Sequence, residues 1–160
     1  MGQPVILANP EATESLARRL AGLLPTDAAG WTILLQGELG AGKSTFARAV
    51  LRALGHGGTV PSPTYSLVEP YELPNYSVYH IDLYRIISTS ELEYLGWSEL
   101  QDGLRLVEWP QRAPRLDEEA DIRLAFGFEG TGRAVEMTGM TARGAALVAG
   151  MTGANDEVTS

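Results

Sequence analysis

The sequence contains no cysteine and a single lysine, and each shortage excludes a class of protein. Without cysteine there is no disulfide framework, no thiolate metal site and no thiol nucleophile. The 12 basic residues are outnumbered by 20 acidic residues, which gives a net charge of −8. Because proteins that bind nucleic acid on their own normally carry an excess of Lys and Arg, this balance argues against autonomous binding to RNA or DNA.

Long apolar runs are also missing. None approaches the roughly 20 residues that span a bilayer, and residues 1–4 lack the charged start and apolar core of a signal peptide. We therefore expect no membrane association and a cytoplasmic location. The hydrophobic fraction of 44% and the charged fraction of 20% are typical of a globular chain, and 160 residues suffice for one domain with its own core.

A glycine-rich stretch, GELGAGKS, occupies residues 37–44. It fits the phosphate-binding pattern G-x-x-x-x-G-K-[ST], in which glycines bring backbone N–H groups close to phosphate oxygens. In this pattern Lys43 reaches the β- and γ-phosphates and the Ser44 hydroxyl ligates Mg²⁺. An apolar run before the stretch predicts a strand, and helical spacing after it predicts a helix. The predicted nucleotide-binding residues here are Gly37, Leu39, Gly40, Ala41, Gly42, Lys43, Ser44 and Thr45.

Two later apolar strands are predicted to end on an acidic residue. Residues 77–82 finish on Asp82, and the run that begins at Leu104 carries Glu108 just before the Trp-Pro pair that stops it. Open α/β sheets bind ligands at the carboxyl ends of their strands, and a strand-end acid is the form of an Mg²⁺-binding Walker B element. Asp82 and Glu108 therefore compete for the metal role, and spacing alone does not separate them. We interpret His80, on the predicted face of Asp82, as a packed strand histidine rather than a ligand.

Other segments have weaker but definite patterns. A strand at residues 5–8 leads into a helix with Asn9 as N-cap and Pro10 at its first position, and Thr13 lies in the first turn. The composition of residues 61–65 predicts a proline-stiffened loop, interpreted either as a γ-phosphate sensor or as an ordinary turn. Two overlapping S-x-x-E capping boxes predict a short helix that starts near residue 88. A hairpin is predicted over residues 121–137, and weak helix over residues 142–151.

Taken together, these segments resemble the TsaE (YjeE) family, small bacterial P-loop ATPases required for threonylcarbamoyladenosine (t6A) modification of tRNA. The matching stretches lie in family order between about residues 5 and 138. They are GELGAGKSTF, PSPTYSLVEPY, YHIDLYR, ELEYLG and LVEWP. The resemblance implies an α/β fold of the three-layer P-loop NTPase type, with a central, mostly parallel (mixed) sheet flanked by helices. Residues 1–140 are then a single ATPase domain, and residues 141–160 a short helix and a disordered tail.

The resemblance also implies ATP and Mg²⁺ as cofactors, and action beside the partner proteins TsaB and TsaD, which would hold the tRNA. By position it implies Ser44 and Glu108 as metal ligands and Asp82 as the catalytic or switch acid, beside Lys43 and Glu108. It places Thr64 in a switch-like loop and Thr13 and Arg133 near the nucleotide. Ser44 stands where the family usually has Thr, but both residues present a hydroxyl.

Three functions compete on these grounds: an ATPase that drives a partner enzyme, a small-molecule kinase, and a nucleotide-binding scaffold without turnover. A kinase usually needs an arginine-bearing lid, and only Arg85 follows the predicted phosphate-binding helix closely. Two strand-end acids argue against a passive scaffold. Fast hydrolysis needs a cation on the γ-phosphate, and neither Arg85 nor Arg112 lies in a glycine-flanked loop. We therefore expect slow hydrolysis alone and acceleration by partners.

Overall fold

The computed structural model describes residues 4–38, 40–58, 67–86 and 88–159, with side chains described as far as residue 152. Two predictions lie outside these residues: the loop at residues 61–65 with Thr64, and the role of Leu39. None of the helices in the described parts of the chain is long and apolar enough to cross a membrane.

The described residues form one mixed sheet. Its strands are β1 (Val5–Leu7), β2 (Thr32–Gln36), β3 (Val68–Glu72), β4 (Ser77–Asp82), β5 (Gly103–Glu108), β6 (Ile122–Glu129) and β7 (Gly132–Gly139). Their order across the sheet is β1-β7-β6-β2-β5-β4-β3. The inner strands β6, β2, β5 and β4 run parallel, whereas β7, β1 and β3 pair antiparallel on the two sides. The predicted mixed α/β sheet is confirmed, with parallel pairing confined to these four strands.

Four α-helices accompany the sheet in the described residues: α1 (Pro10–Leu23), α2 (Lys43–Ala53), α3 (Glu91–Tyr94) and α4 (Ala142–Thr159). The start of α1 is as predicted, because the Asn9 side chain accepts a hydrogen bond from the N–H of Ala12 at 2.9 Å and Pro10 follows. Short 3₁₀ segments lie at Trp97–Asp102, Pro110–Arg112 and Pro114–Glu118.

The two capping boxes predicted near residue 88 have different outcomes. Glu91 accepts a hydrogen bond from the N–H of Ser88 at 2.9 Å, which is the return contact of a capping box. Ser90 makes no side-chain cap, and Glu93 instead pairs with Arg115 at 2.8 Å. The helix that follows, α3, is one turn long.

Helical backbone continues past the predicted end of the last helix. The sequence predicts helix to residue 151, whereas α4 reaches Thr159. Residues 152–159 carry no apolar periodicity that would indicate a helix, but extending a helix that is already anchored adds one hydrogen bond per residue.

Both faces of the sheet are covered, which gives the predicted three layers. Ile33 and Leu35 of β2 face a core that includes Leu20 of α1, Phe46 of α2 and Leu147 of α4. Leu34, between them in sequence, faces the opposite core with α3 and the 3₁₀ segments, because successive strand residues point to opposite faces. The strand β2 is thus buried on both sides, as its continuous apolar run predicts.

Strand register brings the candidate acids together. Asp82 at the end of β4 lies opposite Glu108 at the end of β5, and Leu35 of β2 lies opposite Glu108 on the other side. The glycine-rich loop leaves β2 at this edge and enters α2. The carboxyl ends of three parallel strands therefore meet where the sequence predicts phosphate binding.

Candidate functional site

The glycine-rich loop has a backbone that only glycine adopts without strain. Gly40 and Gly42 have φ angles of 81° and 111°, in the left-handed region. A Cβ on Gly37 would lie 2.7 Å from the carbonyl oxygen of Phe126 on β6. Gly42, the N-cap of α2, supplies no side-chain cap, which leaves the N–H groups of the first turn to be paired by another acceptor such as an anion.

A cavity of about 530 Å³ opens beside this loop. Its wall is formed by the loop, the start of α1, the ends of β4 and β5, and the turn between β6 and β7. The lining residues are Leu7, Ala8, Asn9, Pro10, Thr13, Gly40, Gly42, Lys43, Ser44, Thr45, Asp82, Glu108, Trp109, Thr131, Gly132 and Arg133. The volume lies within the range of small-molecule and cofactor sites.

Most of the predicted site residues meet in this cavity. Those that line it are Thr13, Gly40, Gly42, Lys43, Ser44, Thr45, Asp82, Glu108 and Arg133. Gly37 and the buried Ala41 belong to the same loop but are not part of the lining. Leu39 and Thr64 are outside the described residues. The structure thus gathers most of the predicted set, while the role of each residue stays a prediction.

The Lys43 side chain folds back over its own loop. Its Nζ donates to the carbonyl oxygens of Gly37 and Glu38 and lies 3.9 Å from the centroid of the Trp109 ring. Burial lowers the pKa of Lys43, and the nearby carboxylates of Glu108, Asp82 and Glu38 oppose that shift. The cation is therefore partly desolvated and held by neutral carbonyl groups and an aromatic ring.

Glu108 is the most highly connected acid of the site. Ser44 Oγ lies 3.1 Å from its Oε1 and 3.2 Å from its Oε2, so the hydroxyl that begins α2 donates to the end of β5. The ring Nε2 of His80 lies 2.6 Å from Oε2. The Glu108 side chain is only 3% exposed. Its carboxylate is held by α2 through Ser44 and by β4 through His80.

Asp82 has a different environment, although it lies opposite Glu108 in the register. Its Oδ1 accepts a hydrogen bond from the N–H of Tyr84 at 2.9 Å. Burial raises the pKa of Asp82, the bond from Tyr84 opposes the shift, and the charge of Glu108 raises it further. Asp82 is only half-buried and faces the cavity.

The oxygen donors of the cavity suit a hard divalent cation. Within the described ranges there is no group of three or more His, Cys, Asp or Glu side chains that would form an all-protein metal cage. Mg²⁺ does not require one, because it typically keeps several waters and binds through one or two carboxylates plus substrate phosphates. The Ser44 hydroxyl and the neighbouring Glu108 and Asp82 carboxylates fit that pattern.

Trp109 is a cavity residue that sequence reasoning missed. It has φ 60° and ψ 48°, a left-handed conformation that is strained for a bulky residue and is typical of functional sites. This backbone places the indole against Lys43 and against Tyr84, whose ring centroid is 4.8 Å away. Its position directly after a strand-end acid was the available signal.

Arg133, on β7, contacts the glycine-rich loop and lines the cavity. Its Nε donates to the carbonyl of Gly40 at 2.9 Å, and its guanidinium lies 4.6 Å from the ring of Phe128. Arg85 is exposed, and Arg112 lies 5.5 Å from the ring of Tyr84. Neither belongs to the described cavity lining, so the arginine at the cavity is the one that the family resemblance implied.

The chain is similar to known proteins over most of its length. The family model described as "Threonylcarbamoyl adenosine biosynthesis protein TsaE" matches residues 7–135. The "tRNA threonylcarbamoyladenosine biosynthesis protein TsaE" of Haemophilus influenzae is 37% identical over 118 residues, which are 72% of this chain and 75% of that protein. The protein of the same description from Synechocystis is 40% identical over 119 residues, 71% of this chain and 73% of that one. The crystal structure of YdiB from Bacillus subtilis has a similar fold, with a TM-score of 0.68 and 24% identity over 97% of this chain and 99% of that chain.

Proposed function

The chain belongs to the TsaE family of threonylcarbamoyl adenosine biosynthesis proteins, and from this premise we propose that it is an Mg²⁺-dependent ATPase that supports t6A formation in tRNA. Family membership supports the role in tRNA modification. The ATPase activity is an inference from the site. It rests on one observation above all: the Ser44 hydroxyl at the start of α2 donates to the Glu108 carboxylate at the end of β5, inside the cavity that Lys43 lines.

In this proposal the loop and the start of α2 bind the phosphates. The N–H groups of residues 40–44 donate hydrogen bonds to the phosphate oxygens, whose negative charge lies at the positive end of the helix. Lys43 exchanges its neutral carbonyl acceptors for the β- and γ-phosphate oxygens, which are stronger partners for a partly desolvated cation. Thr13 and Arg133 border the part of the cavity left for the rest of the nucleotide.

Ser44 and Glu108 would hold the Mg²⁺ ion, which, when bound, neutralises charge on the phosphate oxygens. Asp82, half-buried beside them, orients the attacking water. The contacts support this division of roles, because Glu108 is hydrogen-bonded to Ser44 and His80, whereas Asp82 accepts one bond from a backbone N–H and faces the cavity.

Partner proteins TsaB and TsaD complete the proposed activity. Arginine fingers stabilise charge on the transferred phosphoryl group and are worth roughly 10³–10⁵ in rate. The guanidinium of Arg133 is engaged by the carbonyl of Gly40 and by Phe128. Assembly with the partners would either release the Arg133 guanidinium or supply another arginine. The lone protein would then hydrolyse ATP slowly, and the complex would hydrolyse it faster.

The test compares Lys43→Ala with Arg52→Ala. Both substitutions remove one positive charge from α2, but Arg52 is exposed and lies away from the cavity. ATP affinity is measured by calorimetry, and steady-state hydrolysis is measured with and without the TsaB–TsaD pair. We expect Lys43→Ala to lose ATP binding and stimulated turnover while Arg52→Ala retains both.

Each arm has an outcome that contradicts the proposal. Equal ATP affinity in the wild type and in Lys43→Ala would remove the phosphate assignment. ATP binding without turnover, alone or with partners, would leave a nucleotide-binding scaffold. Full-speed turnover by the lone protein would contradict the dependence on partners.

A further inference from the structure

His80 is a buried ionisable side chain in contact with Glu108, the proposed metal ligand. Its side chain is fully buried, and its Nε2 lies 2.6 Å from Glu108 Oε2. The sequence predicts only a packed strand histidine, and the packing is indeed complete. The contact with Glu108, however, is a directed polar interaction that packing alone does not require.

Strand geometry makes this contact possible. In the β4–β5 register His80 lies opposite Leu106, and Asp82 lies opposite Glu108. Residues two apart on a strand share a face, so the imidazole lies diagonally behind the Glu108 carboxylate, on the side away from the cavity. His80 does not line the cavity, whereas Asp82 and Glu108 do.

The hydrogen-bond pattern identifies the direction of the interaction. Nδ1 of His80 is buried and has no hydrogen-bond partner in the described part of the chain. A proton on Nδ1 would be an unpaired buried donor, which is rarer and more costly than an unpaired acceptor. The tautomer with its proton on Nε2 avoids this cost and donates to Glu108 Oε2.

We propose that His80 is a positioning residue that anchors Glu108 Oε2 and thereby presents Oε1 to the divalent cation beside Ser44. The inference rests on the proposed function, because Glu108 must be a metal ligand for its orientation to matter. Groups that hydrogen-bond to metal-ligating side chains fix their orientation, and removing such a group typically costs roughly 10–100-fold in metal affinity. A rigid ring is well suited to this role, since it holds the donor in place with only two rotatable bonds.

The matched pair of variants is His80→Gln and His80→Asn. Both carry an amide, but the Gln amide nitrogen occupies the place of Nε2, whereas the Asn nitrogen occupies the place of Nδ1. A third variant, His80→Phe, keeps the ring volume without a donor. Mn²⁺ serves as the spectroscopic probe: the folded proteins, saturated with a non-hydrolysable ATP analogue, are titrated and free Mn²⁺ is read by electron paramagnetic resonance.

We expect Mn²⁺ affinity to fall roughly 10–100-fold in His80→Asn and His80→Phe, and to recover in His80→Gln. Affinity for the analogue in excess chelator should stay unchanged in all three, since His80 does not line the cavity. Equal affinity for Mn²⁺ in Asn and Gln variants would overturn the inference, as would wild-type affinity in His80→Phe. If His80→Phe does not fold, the Gln and Asn pair decides.

Glu108→Gln in the same titration separates this inference from the proposed function. If Glu108→Gln weakens Mn²⁺ binding while His80→Asn does not, the positioning role fails alone. If Glu108→Gln also retains wild-type Mn²⁺ affinity, Glu108 is not a ligand and both proposals about the metal fall together.

Discussion

At the scale of single residues, the acids of this protein differ in what holds them. Asp121 is buried, and it accepts hydrogen bonds from the N–H of Thr32, the hydroxyl of Thr141 and the guanidinium of Arg143. It therefore joins the start of β2 to the start of α4. Burial by itself would raise the pKa of Asp121, but these hydrogen bonds outweigh it, and the pKa lies below its ordinary value.

This environment predicts an acid-sensitive contribution to stability. Because the folded-state pKa of Asp121 is depressed, its contribution is complete above the unfolded value near 3.9 and is lost as the pH falls through the folded pKa. Asp121→Asn should lower the free energy of unfolding at neutral pH by roughly 1.5–3 kcal/mol and flatten its pH dependence below about pH 4. Urea denaturation across this pH range is the measurement.

The control for that prediction is Asp27→Asn. Asp27 is exposed and accepts a hydrogen bond from the N–H of Ala29 at 3.0 Å, which an Asn side chain can also accept. It should change stability far less. The same pH dependence in the wild type and in Asp121→Asn would contradict the assignment.

At the scale of elements, the first turn of α4 meets the sheet through close backbone contact. A Cβ added at Gly144 would lie 1.8 Å from the carbonyl oxygen of Asp121, and one added at Gly139 of β7 would lie 2.3 Å from Cα of Ala145. The helix can approach this closely only because both positions are glycine. Leu147 and Met151 then bury the rest of its inner face.

Gly144→Ala should therefore separate α4 from the sheet. Ala favours helix over Gly by roughly 1 kcal/mol, but the clash is with backbone, and overpacking of this kind typically costs about 1–3 kcal/mol. We expect a net loss of stability in chemical denaturation. Gly150→Ala is the matched control, because a Cβ there meets only the flexible Leu23 side chain at 3.4 Å. Equal stability of the two variants would show that α4 docks in another way.

At the scale of the whole molecule, charge limits what the protein binds by itself. The net charge is −8, and several arginines are already paired with acids: Arg115 with Glu93, Arg123 with Asp117 and Arg143 with Asp121. Binding to tRNA phosphates depends on free Lys and Arg and weakens steeply with salt. The acidic balance therefore argues against binding of tRNA by this chain alone.

We accordingly expect no measurable tRNA binding by the isolated protein between about 50 and 200 mM salt. Fluorescence anisotropy of labelled tRNA measures this directly, and the same titration with the TsaB–TsaD pair serves as the positive control. Tight binding by the lone chain that weakens by roughly 10³ or more across that salt range would contradict the prediction.

Local features of the chain were determined by the sequence itself. The glycine loop, the Asn9 cap, the buried strand β2 and the two strand-end acids each depend on residues within about one element of each other. Backbone preferences of Gly and Pro and the periodicities of strand and helix act over that distance. Spacing was therefore enough to predict the loop, the helix start and the strand ends that border the cavity.

Only the tertiary structure decided how those features meet. Spacing left Asp82 and Glu108 as equal candidates for the metal role, and the fold gives the two acids different contacts by bringing Ser44 and His80 to Glu108. Trp109 reached Lys43 through a strained backbone that no local pattern predicts. These contacts join residues tens of positions apart, and their geometry is set by strand order and register. Packing of the two sheet faces selects that order and register, so no single stretch of the chain is enough to predict these contacts.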